Sequence, residues 1–470
     1  MRPSNTASHS FLSREEHRIF KKVLIANRGE IALRINRACQ ELGVATVAIY
    51  SEADRDSLHV RQADEAFCVG PGPAGRSYLN IPNIISTALV TRCDAIHPGY
   101  GFLAENARFA EICNDHGLTF IGPKPSVIAL MGDKATAKRV VREAGVATTP
   151  GTDVLATVEA AGQAASAIGY PLLLKATAGG GGRGMRVVHD PNDLPRAFAS
   201  ATAEAEASFK DGRLYVERLI RTPRHIEVQV LGDEFGNVVH LGERDCSVQK
   251  PAHQKIIEET PAPNLPAATR TALHEMALRA SRHVNYTNAG TLEFLASGDD
   301  AYFMEMNTRI QVEHPVTEMV YNIDLVKEQI RVAAGEPLGY TQSDLVARGH
   351  AIECRINAED PRNNFAPAAG TVSKVVFPGG PGIRVDTHVY GGATIPPYYD
   401  SMIAKIVAFG DTREVAIARM ERALRETVVE GVTTTVDLCL DLLAARAFRE
   451  GRYDIEFVAN ELFAALSSLR

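Results

Sequence analysis

An alternation of strand and helix signals near the start of the chain constrains the fold more than any other feature. Residues 23–26 (Val-Leu-Ile-Ala) form an apolar run typical of a buried strand, and residues 31–42 carry apolar side chains at helical spacing. Gly43 can end that helix, and residues 44–50 form a second apolar strand. Because a strand–helix–strand order needs a crossover, the two strands must lie parallel in one sheet. The sequence therefore predicts an N-terminal α/β domain.

Composition and charge exclude several classes of protein. The 470 residues are 45% hydrophobic and 23% charged, which is ordinary for a globular protein and not for a disordered one. A formal net charge of −7 argues against binding to nucleic acid, and no apolar run is long enough to cross a membrane. The seven cysteines are scattered and form no C-x-x-C pair, so we expect reduced thiols and a cytoplasmic location.

A run of four glycines, 179–182, lies between two strand-like segments, 172–176 and 185–188. Glycine lets backbone N–H groups curl around phosphate oxygens, and Lys175 and Arg183 place two cations beside them. The run is not a P-loop, because no Gly-Lys-Ser/Thr follows it. It favours a lid that closes over a polyphosphate and excludes water, and the alternative is a simple hairpin tip.

Two glutamates are predicted to face each other across a hairpin. A turn centred on Asp299 separates two strand-like segments and pairs Glu293 with Glu305. Directly opposed like charges destabilise a sheet, and a divalent cation is the usual remedy. Asn307 adds an amide oxygen on the same face, and oxygen ligands favour Mg²⁺ or Mn²⁺ over zinc. In a different register both acids would be solvated.

The alternation continues along the chain after this hairpin. Arg309, Gln311 and Glu313 alternate with apolar residues. If the chain stays extended, one face from Glu305 to Glu313 spans roughly 26 Å at ~3.3 Å per residue. We expect this face to form a long active-site floor, with a metal at one end and an Arg/Glu pair at the other. The alternative is an ordinary solvated strand face.

Three segments together resemble biotin carboxylase, an ATP-grasp enzyme that performs the first half-reaction of acetyl-, propionyl- and pyruvate-carboxylating systems. They are IHPGYGFLAEN (96–106), the glycine run, and FMEMNTRIQVEHP (303–315). The resemblance covers about residues 21–465. It implies that ATP and bicarbonate form carboxyphosphate, whose carboxyl group moves to biotin.

The resemblance implies a multidomain α/β and α+β protein. A flexible tail (1–20), favoured over a transit peptide, precedes the N-terminal α/β domain (21–132). A central ATP-grasp domain (133–348) carries a lid subdomain at about residues 147–219. A C-terminal domain with a mixed sheet (349–470) completes the chain.

The resemblance also implies the nucleotide site. The residues matched to ATP binding are Lys134, Lys175, Gly180, Gly181, Gly182, Glu217, Arg218, Leu219, Ile220, His225, His253, Glu293 and Glu305. Lys134 and Lys175 resemble phosphate ligands, the glycines resemble a lid, and residues 217–220 resemble the hinge that holds adenine. The matched metal ligands are Glu293, Glu305 and Asn307, in agreement with the hairpin argument.

The reaction centre implied by the resemblance follows the same segments. The bicarbonate cradle matches Lys255, Arg309, Gln311 and Val312, the last through its backbone. Glu313 resembles the base that deprotonates bicarbonate, and Arg355 resembles the residue that stabilises the biotin enolate. The implied catalytic residues are Lys255, Arg309, Glu313 and Arg355, and the implied biotin contacts are Arg309 and Arg355.

Two departures from the family pattern affect these assignments. Ala178 replaces the first of five family glycines, so we expect a slower or stiffer lid. Segment 249–255 is one residue longer than usual, and Pro251 replaces a cation. The assignments of His253 and Lys255 therefore follow the His-Gln-Lys end of that segment.

The chain contains no Ala-Met-Lys-Met sequence for biotin attachment, so we expect biotin to arrive on a separate carrier protein. The resemblance implies a homodimer that works with this carrier and with carboxyltransferase subunits. We favour an acetyl-CoA or propionyl-CoA carboxylase system, as in fatty acid biosynthesis. The alternatives are a pyruvate-type carboxylase, another ATP-grasp ligase, and a nucleotide-binding subunit without turnover.

Overall fold

The computed structural model describes residues 19–155, 157–177, 184–250 and 254–468, with side chains up to residue 462. Several predicted features fall outside these residues: the tail up to residue 18, Ala178, the glycines 180–182, Arg183, Pro251 and His253. None of the helices in the described part of the chain combines the length and the apolar character needed to span a membrane.

The N-terminal part is built on a five-stranded parallel sheet, as the strand–helix–strand pattern predicts. Its elements are β1 (Lys22–Ile25), α1 (Gly29–Glu41), β2 (Ala45–Ser51), α2 (Leu58–Gln62), β3 (Glu65–Gly70), α3 (Ile81–Val90), β4 (Ala95–His97), α4 (Ala107–Asp115), β5 (Thr119–Phe120) and α5 (Pro125–Gly132). The strand order is β3-β2-β1-β4-β5. Because β1 is central, Val23, Leu24 and Ile25 are all buried, whichever face they point to.

A small antiparallel sheet follows. Its elements are α6 (Lys134–Glu143), α7 (Val158–Ile168), β6 (Leu172–Ala176), β7 (Met185–Val188), α8 (Leu194–Phe209) and β8 (Leu214–Arg218). The strand order is β7-β6-β8, and β6 pairs with both neighbours antiparallel. The two strands predicted on either side of the glycine run are therefore confirmed.

A run of longer strands and three helices forms the rest of the central region. The elements are β9 (Arg224–Gly232), β10 (Val238–Lys250), β11 (Gln254–Thr260), α9 (Ala267–His283), β12 (Asn288–Ser297), β13 (Asp300–Asn307), α10 (His314–Tyr321) and α11 (Leu325–Ala333). Strand β10 pairs antiparallel with both β9 and β11, and β12 pairs antiparallel with β13.

The C-terminal part contains many short strands and a helical end. The elements are β14 (His350–Asn357), β15 (Glu359–Asp360), β16 (Ala366–Pro367), β17 (Gly370–Thr371), β18 (Lys374–Val376), β19 (Ile383–Thr387), β20 (Thr394–Ile395), β21 (Met402–Gly410), α12 (Arg413–Glu426), β22 (Val428–Glu430), α13 (Val436–Ala444), α14 (Arg446–Arg449) and α15 (Phe457–Ser468). Four 3₁₀ turns complete the described elements: Glu52–Asp54, Ala74–Arg76, Gln342–Asp344 and Pro361–Asn363.

One eight-stranded sheet connects the central and C-terminal parts, in the order β13-β12-β9-β10-β11-β14-β21-β19. Strand β11 pairs with β14, so the sheet continues across residues 348 and 349, where the sequence suggests a division. All of its described strand pairs are antiparallel, whereas the sequence predicted a mixed C-terminal sheet.

Strand β14 has one apolar face, which packs in the core, and one face that carries charged side chains. Ile352, Cys354 and Ile356 belong to an apolar cluster that includes residues of α12. The alternate positions, Glu353 and Arg355, point to the opposite face because side chains alternate along a strand. The sheet therefore presents buried charged groups on the side where the candidate site lies.

Candidate active site

The predicted hairpin between the two glutamates is confirmed. Glu293 on β12 lies directly opposite Glu305 on β13. A bulge on β13 follows, because Phe294 pairs with Phe303, and the register near the turn is offset from a fold about Asp299. The predicted pairing therefore holds at the two glutamates, whereas the residues between them and the turn pair one position away from the predicted register.

Cations from other elements and an amide of β13 compensate these two carboxylates. Glu305 Oε2 lies 2.7 Å from Lys134 Nζ. Glu293 lies 3.1 Å from Lys255 Nζ and 3.1 Å from His225 Nε2. Asn307 Nδ2 donates to Glu293 Oε1 at 2.9 Å. The opposed charges that the sequence assigned to a metal are thus also balanced by protein groups.

Lys255 lies at the centre of a buried group of carboxylates. Its Nζ donates to Glu227 Oε2 at 2.7 Å, to Glu293 Oε1 at 3.1 Å and to Glu313 Oε1 at 2.5 Å. Burial alone lowers the pKa of Lys255, but the surrounding anionic groups outweigh burial and hold that pKa well above its ordinary value. Lys255 is therefore a fixed cation that brings three glutamates together.

Glu313 is held between two cations. Lys255 contacts Oε1, and Arg355 Nη2 donates to Oε2 at 2.9 Å. Burial raises the pKa of Glu313, but Lys255, Arg355 and Arg244 together hold it well below its ordinary value. The carboxylate is ionised and can accept a proton.

Arg355 is oriented from its other side by a glutamate that the sequence analysis missed. Arg355 Nε donates to Glu258 Oε1 at 2.6 Å. Glu258 pairs with Glu353 across β11 and β14. Among the described residues, Glu258 Oε2 and both carboxylate oxygens of Glu353 have no hydrogen-bond partner. Burial raises the pKa of Glu258 to about 7, although Arg355 opposes this rise.

A fully buried arginine, which the sequence analysis did not identify, binds several side chains around the carboxylate group of Lys255. Arg244 donates to Glu227, and to Gln229 Oε1 at 2.8 Å, Thr317 Oγ1 at 2.9 Å, Thr291 Oγ1 at 3.1 Å and Gln311 Oε1 at 2.8 Å. Gln311 in turn donates to Glu293 Oε1 at 2.7 Å. The amide of Gln311 thus bridges a structural cation and a predicted metal ligand. A charged run inside the strand pattern at residues 243–245 was the available signal.

The expectation of one extended face from Glu305 to Glu313 is wrong. Strand β13 ends at Asn307, and α10 begins at His314. Thr308 N–H leaves the ladder and donates to Glu105 Oε1 at 3.0 Å. Pro315 lies in the first helical turn, where proline favours helix initiation. Residues 308–313 therefore cross the site as an irregular segment.

A cavity of about 480 Å³ opens at the junction of the N-terminal, central and C-terminal parts. Its walls include Arg309, Val312, Arg355 and Tyr100. Arg309 Nε donates to Glu105 Oε2 at 2.9 Å, so this guanidinium is fixed at the wall. Both predicted biotin contacts and the predicted backbone contact to bicarbonate therefore line the same space.

Three lysines converge on the predicted phosphate side. Lys175 Nζ lies 3.1 Å from Glu217 Oε2, and Lys138, which the sequence analysis missed, contacts Glu217 Oε1. Burial and the neighbouring Lys134 lower the pKa of Lys175 to about 8. Burial and the other two lysines lower the pKa of Lys138 to about 6. Lys138 follows Lys134 by one helical turn, and this spacing on α6 was the available signal.

The remaining predicted ATP contacts occupy two places. Residues 217–220 run from the end of β8 into a loop, and Arg218 N–H donates to the Pro150 carbonyl at 2.8 Å. Leu219 and Ile220 are half-buried and Arg218 is exposed. His225 contacts Glu293, and its Nδ1 lies 2.8 Å from Gln249 Nε2. His225 therefore belongs to the carboxylate group around Lys255.

The donor set of the hairpin suits a hard cation. Glu293, Glu305 and Asn307 offer only oxygen ligands from adjacent strands, which is the chemistry that Mg²⁺ and Mn²⁺ prefer. Asn307 Oδ1 accepts from Arg309 Nη2 at 2.8 Å while its Nδ2 faces Glu293, so a turn of the side-chain amide would bring the oxygen toward a metal beside Glu293. We find that these residues fit a magnesium site.

Family models match most of the chain. Biotin carboxylase, N-terminal domain, matches residues 19–128, and biotin carboxylase C-terminal domain matches residues 353–460. Between them, carbamoyl-phosphate synthase L chain, ATP binding domain, matches residues 133–341. A biotin carboxylase of Nostoc sp. is 55% identical over 441 residues, covering 93% of this chain and 98% of that protein.

Solved structures of biotin carboxylases also match nearly the whole chain. The biotin carboxylase domain dimer of Hydrogenobacter thermophilus 2-oxoglutarate carboxylase, in complex with MgADP, ADP and bicarbonate, superposes with a TM-score of 0.91 at 50% identity, covering 94% of this chain and 98% of that one. The biotin carboxylase subunit of a pyruvate carboxylase gives a TM-score of 0.82 at 50% identity, with 94% and 98% coverage.

Proposed function

This chain belongs to the biotin carboxylase family of ATP-dependent ligases, and we propose that it carboxylates biotin on a separate carrier protein as the first half-reaction of an acyl-CoA carboxylase. ATP, Mg²⁺ and carrier-bound biotin are the cofactors of this reaction. The observation that carries the proposal is the position of Glu313 between Lys255 and Arg355 beside the cavity.

In the proposed mechanism Glu313 is the general base. Bicarbonate is a poor nucleophile until a carboxylate takes its proton. Lys255 and Arg309 hold the anion by charge, and the Val312 N–H donates to one of its oxygens. Glu313 is ionised and lies next to this position, so the bicarbonate proton passes to one of its oxygens. The bicarbonate oxygen then attacks the terminal phosphorus of ATP, the bond from that phosphorus to the bridging oxygen breaks, and ADP leaves as carboxyphosphate forms.

The phosphate side is bound by lysines. Lys134 and Lys175 contact phosphate oxygens of ATP. In the structure Lys134 pairs with Glu305 and Lys175 pairs with Glu217, so ATP binding would replace or extend these two ion pairs. Residues 217–220 hold the adenine through their backbone, and the glycines 180–182, which the resemblance assigns to the lid, lie outside the described residues. Glu293, Glu305 and Asn307 would hold Mg²⁺, which neutralises the charge of the transferred phosphoryl group when bound.

Arg355 serves the second step, in which the carboxyl group of carboxyphosphate moves to a ureido nitrogen of biotin, phosphate leaves, and the nitrogen's proton passes to that phosphate. A fixed guanidinium beside the cavity stabilises negative charge on the biotin ureido oxygen, as an oxyanion donor does. Glu258 and Glu313 hold this guanidinium at 2.6 Å and 2.9 Å, so no reorganisation is needed when charge develops. The biotin ring system would enter the cavity walled by Arg309, Arg355 and Tyr100.

The proposed partners are those that the resemblance to the family implies. The proposed enzyme is a homodimer that receives biotin from a carrier protein and passes carboxybiotin to carboxyltransferase subunits. The biotin carboxylase domain of the Hydrogenobacter protein is described as a dimer with bicarbonate. A keto-acid acceptor is the second candidate, because structural relatives belong to 2-oxoglutarate and pyruvate carboxylases.

Phosphate release with bicarbonate and free biotin tests the proposal. We expect ATP cleavage to require bicarbonate and carboxybiotin to form, with both lost in Glu313→Gln. ATP cleavage that is indifferent to bicarbonate would indicate another ATP-grasp ligase, and nucleotide binding without cleavage would indicate a subunit without turnover. Co-purified partner chains, assayed with acetyl-CoA, propionyl-CoA, pyruvate and 2-oxoglutarate, identify the final acceptor.

A further inference from the structure

A fully buried lysine contacts the segment that carries the proposed base. Lys405 lies in the middle of β21, and its side chain has no exposed surface. Its Nζ donates to the Val312 carbonyl at 2.8 Å and lies 3.1 Å from Glu30 Oε1. Burial lowers the pKa of Lys405, but Glu30, Glu353 and Asp386 outweigh burial and raise it. The buried ammonium group of Lys405 thus remains charged and donates to the main-chain carbonyl of Val312.

The preceding carbonyl is held by a buried histidine. His314 Nδ1 lies 2.7 Å from the Gln311 carbonyl oxygen. Because a carbonyl only accepts, Nδ1 carries the proton and donates. Burial and the cations Lys405, Arg34 and Arg384 keep the pKa of His314 well below its ordinary value, so the ring is neutral.

These two donors fix two consecutive peptide planes. The peptide bonds at Gln311–Val312 and Val312–Glu313 are trans, so each N–H points away from the carbonyl of its own plane. With the Gln311 carbonyl held by His314, the Val312 N–H points away from the histidine. With the Val312 carbonyl held by Lys405, both backbone dihedral angles of Val312 are set.

We propose that His314 and Lys405 are positioning residues that aim the Val312 N–H at bicarbonate and hold Glu313 beside it. The inference rests on the proposed function, in which Val312 and Glu313 contact bicarbonate. Val312 lines the cavity together with Arg309 and Arg355, whereas His314 is fully buried behind the segment. Neither residue touches the reacting atoms, and both act through the main chain.

The test compares variants that remove a donor with one that keeps it. His314→Leu removes the donor at similar volume, and His314→Asn retains an amide N–H close to the Nδ1 position. Lys405→Met is combined with Glu30→Gln, because the single change would leave the Glu30 carboxylate buried without its cation. His59→Leu is the matched control: His59 is buried, and its Nε2 lies 3.3 Å from the Ile49 carbonyl.

Bicarbonate-dependent ATP cleavage and MgADP binding are measured for each protein. We expect KM for bicarbonate to rise about tenfold in His314→Leu and in the Lys405→Met/Glu30→Gln double variant, as for a misdirected hydrogen-bond donor. The dissociation constant for MgADP should change by less than about twofold, because the phosphate contacts are untouched. His314→Asn and His59→Leu should resemble the wild type.

Two results would overturn the inference: equal changes in bicarbonate and MgADP parameters, which indicate a merely structural role, and equal losses in His314→Asn and His314→Leu. Absence of bicarbonate-dependent ATP cleavage in the wild type is a different outcome, because it rejects the proposed function itself. If the Lys405 double variant fails to fold, the His314 pair decides the question alone.

Discussion

Arg355 Nη2 donates to Glu313 Oε2 at 2.9 Å, so the proposed enolate-stabilising cation and the proposed base form one ion pair. The two residues come from separate elements, since Arg355 lies on β14 and Glu313 directly precedes α10. Their contact means that a change in one alters the charge environment of the other. The deprotonation of bicarbonate and the carboxylation of biotin are therefore electrostatically linked.

The first prediction separates the two residues by product. Glu313→Gln keeps the shape of the side chain but cannot accept a proton, so ATP cleavage and carboxybiotin formation should both fall by about 10²–10⁴-fold. Arg355→Gln should retain part of the bicarbonate-dependent ATP cleavage while carboxylation falls much further. Phosphate release and carboxybiotin are measured together. Equal losses of both activities in Arg355→Gln would contradict the division of roles.

The second prediction concerns the pH profile of Arg355→Gln. Arg355 is one of the cations that hold the pKa of Glu313 well below its ordinary value, so its removal raises that pKa. Glu313 must be ionised to act, and activity is lost as the pH falls through its pKa. The acidic limb of kcat/KM for bicarbonate should therefore move to higher pH in the variant, measured from about pH 4 to 8 with the bicarbonate concentration corrected for its conversion to CO2 at each pH. An acidic limb that stays in place would argue against Glu313 as the base.

The third prediction concerns the metal. Glu305→Gln removes one carboxylate charge from the predicted magnesium ligands, and ATP cleavage should fall by about 10²-fold or more, with a higher Mg²⁺ concentration needed for half-maximal rate. Asp300→Asn is the control, because Asp300 is exposed on the same hairpin and is not a predicted ligand. Unchanged magnesium dependence in Glu305→Gln would reject the assignment.

Sequence patterns predicted those features of the fold and the site that are set by residues close together in the sequence. The Glu293–Glu305 pairing could be predicted because one short turn sets the register of a hairpin. The parallel N-terminal sheet followed from the alternation of short apolar runs with an amphipathic helix. The Ala-rich helices α7 and α8 escaped notice, because alanine on every face obscures the helical period.

Residues that act across the sheet could not be placed from the sequence. Arg244 contacts Glu227, Gln311 and other groups on several segments, and nothing local specifies which strands become neighbours. Lys405 gave only a partial signal, a lone charge within the apolar run of β21. The bend after Asn307 depends on Thr308 pairing with Glu105 of the N-terminal part, 203 positions away.

The fourth prediction concerns stability. Arg244 is fully buried and donates to five side chains, so Arg244→Met leaves several acceptors unsatisfied and should lower the free energy of unfolding by about 3–5 kcal/mol. Arg139→Met is the control: Arg139 is exposed and pairs with Glu143 one turn away, so its loss should change stability by about 0.5 kcal/mol or less. Urea unfolding measures both, and similar effects in the two variants would show that the buried network contributes little.

The last prediction concerns acid stability through Glu259. Its carboxylate pairs with Arg413 at 2.7 Å and with His350 at 2.5 Å. Burial raises the pKa of Glu259, but His350 and Arg413 outweigh burial and lower it to about 2.

A carboxyl group whose pKa is depressed on folding stabilises the native state above its unfolded pKa, near 4.3, and this contribution is lost as the pH falls toward the folded pKa. Glu259→Gln should therefore lower the free energy of unfolding by about 3 kcal/mol at pH 7. The difference between variant and wild type should shrink as the pH falls from about 4.5 toward 2, because the wild type then loses the same contribution. Urea unfolding at pH 7, 4 and 3 measures the difference. A gap that stays constant over this range would show that the ion pairs of Glu259 do not govern acid stability.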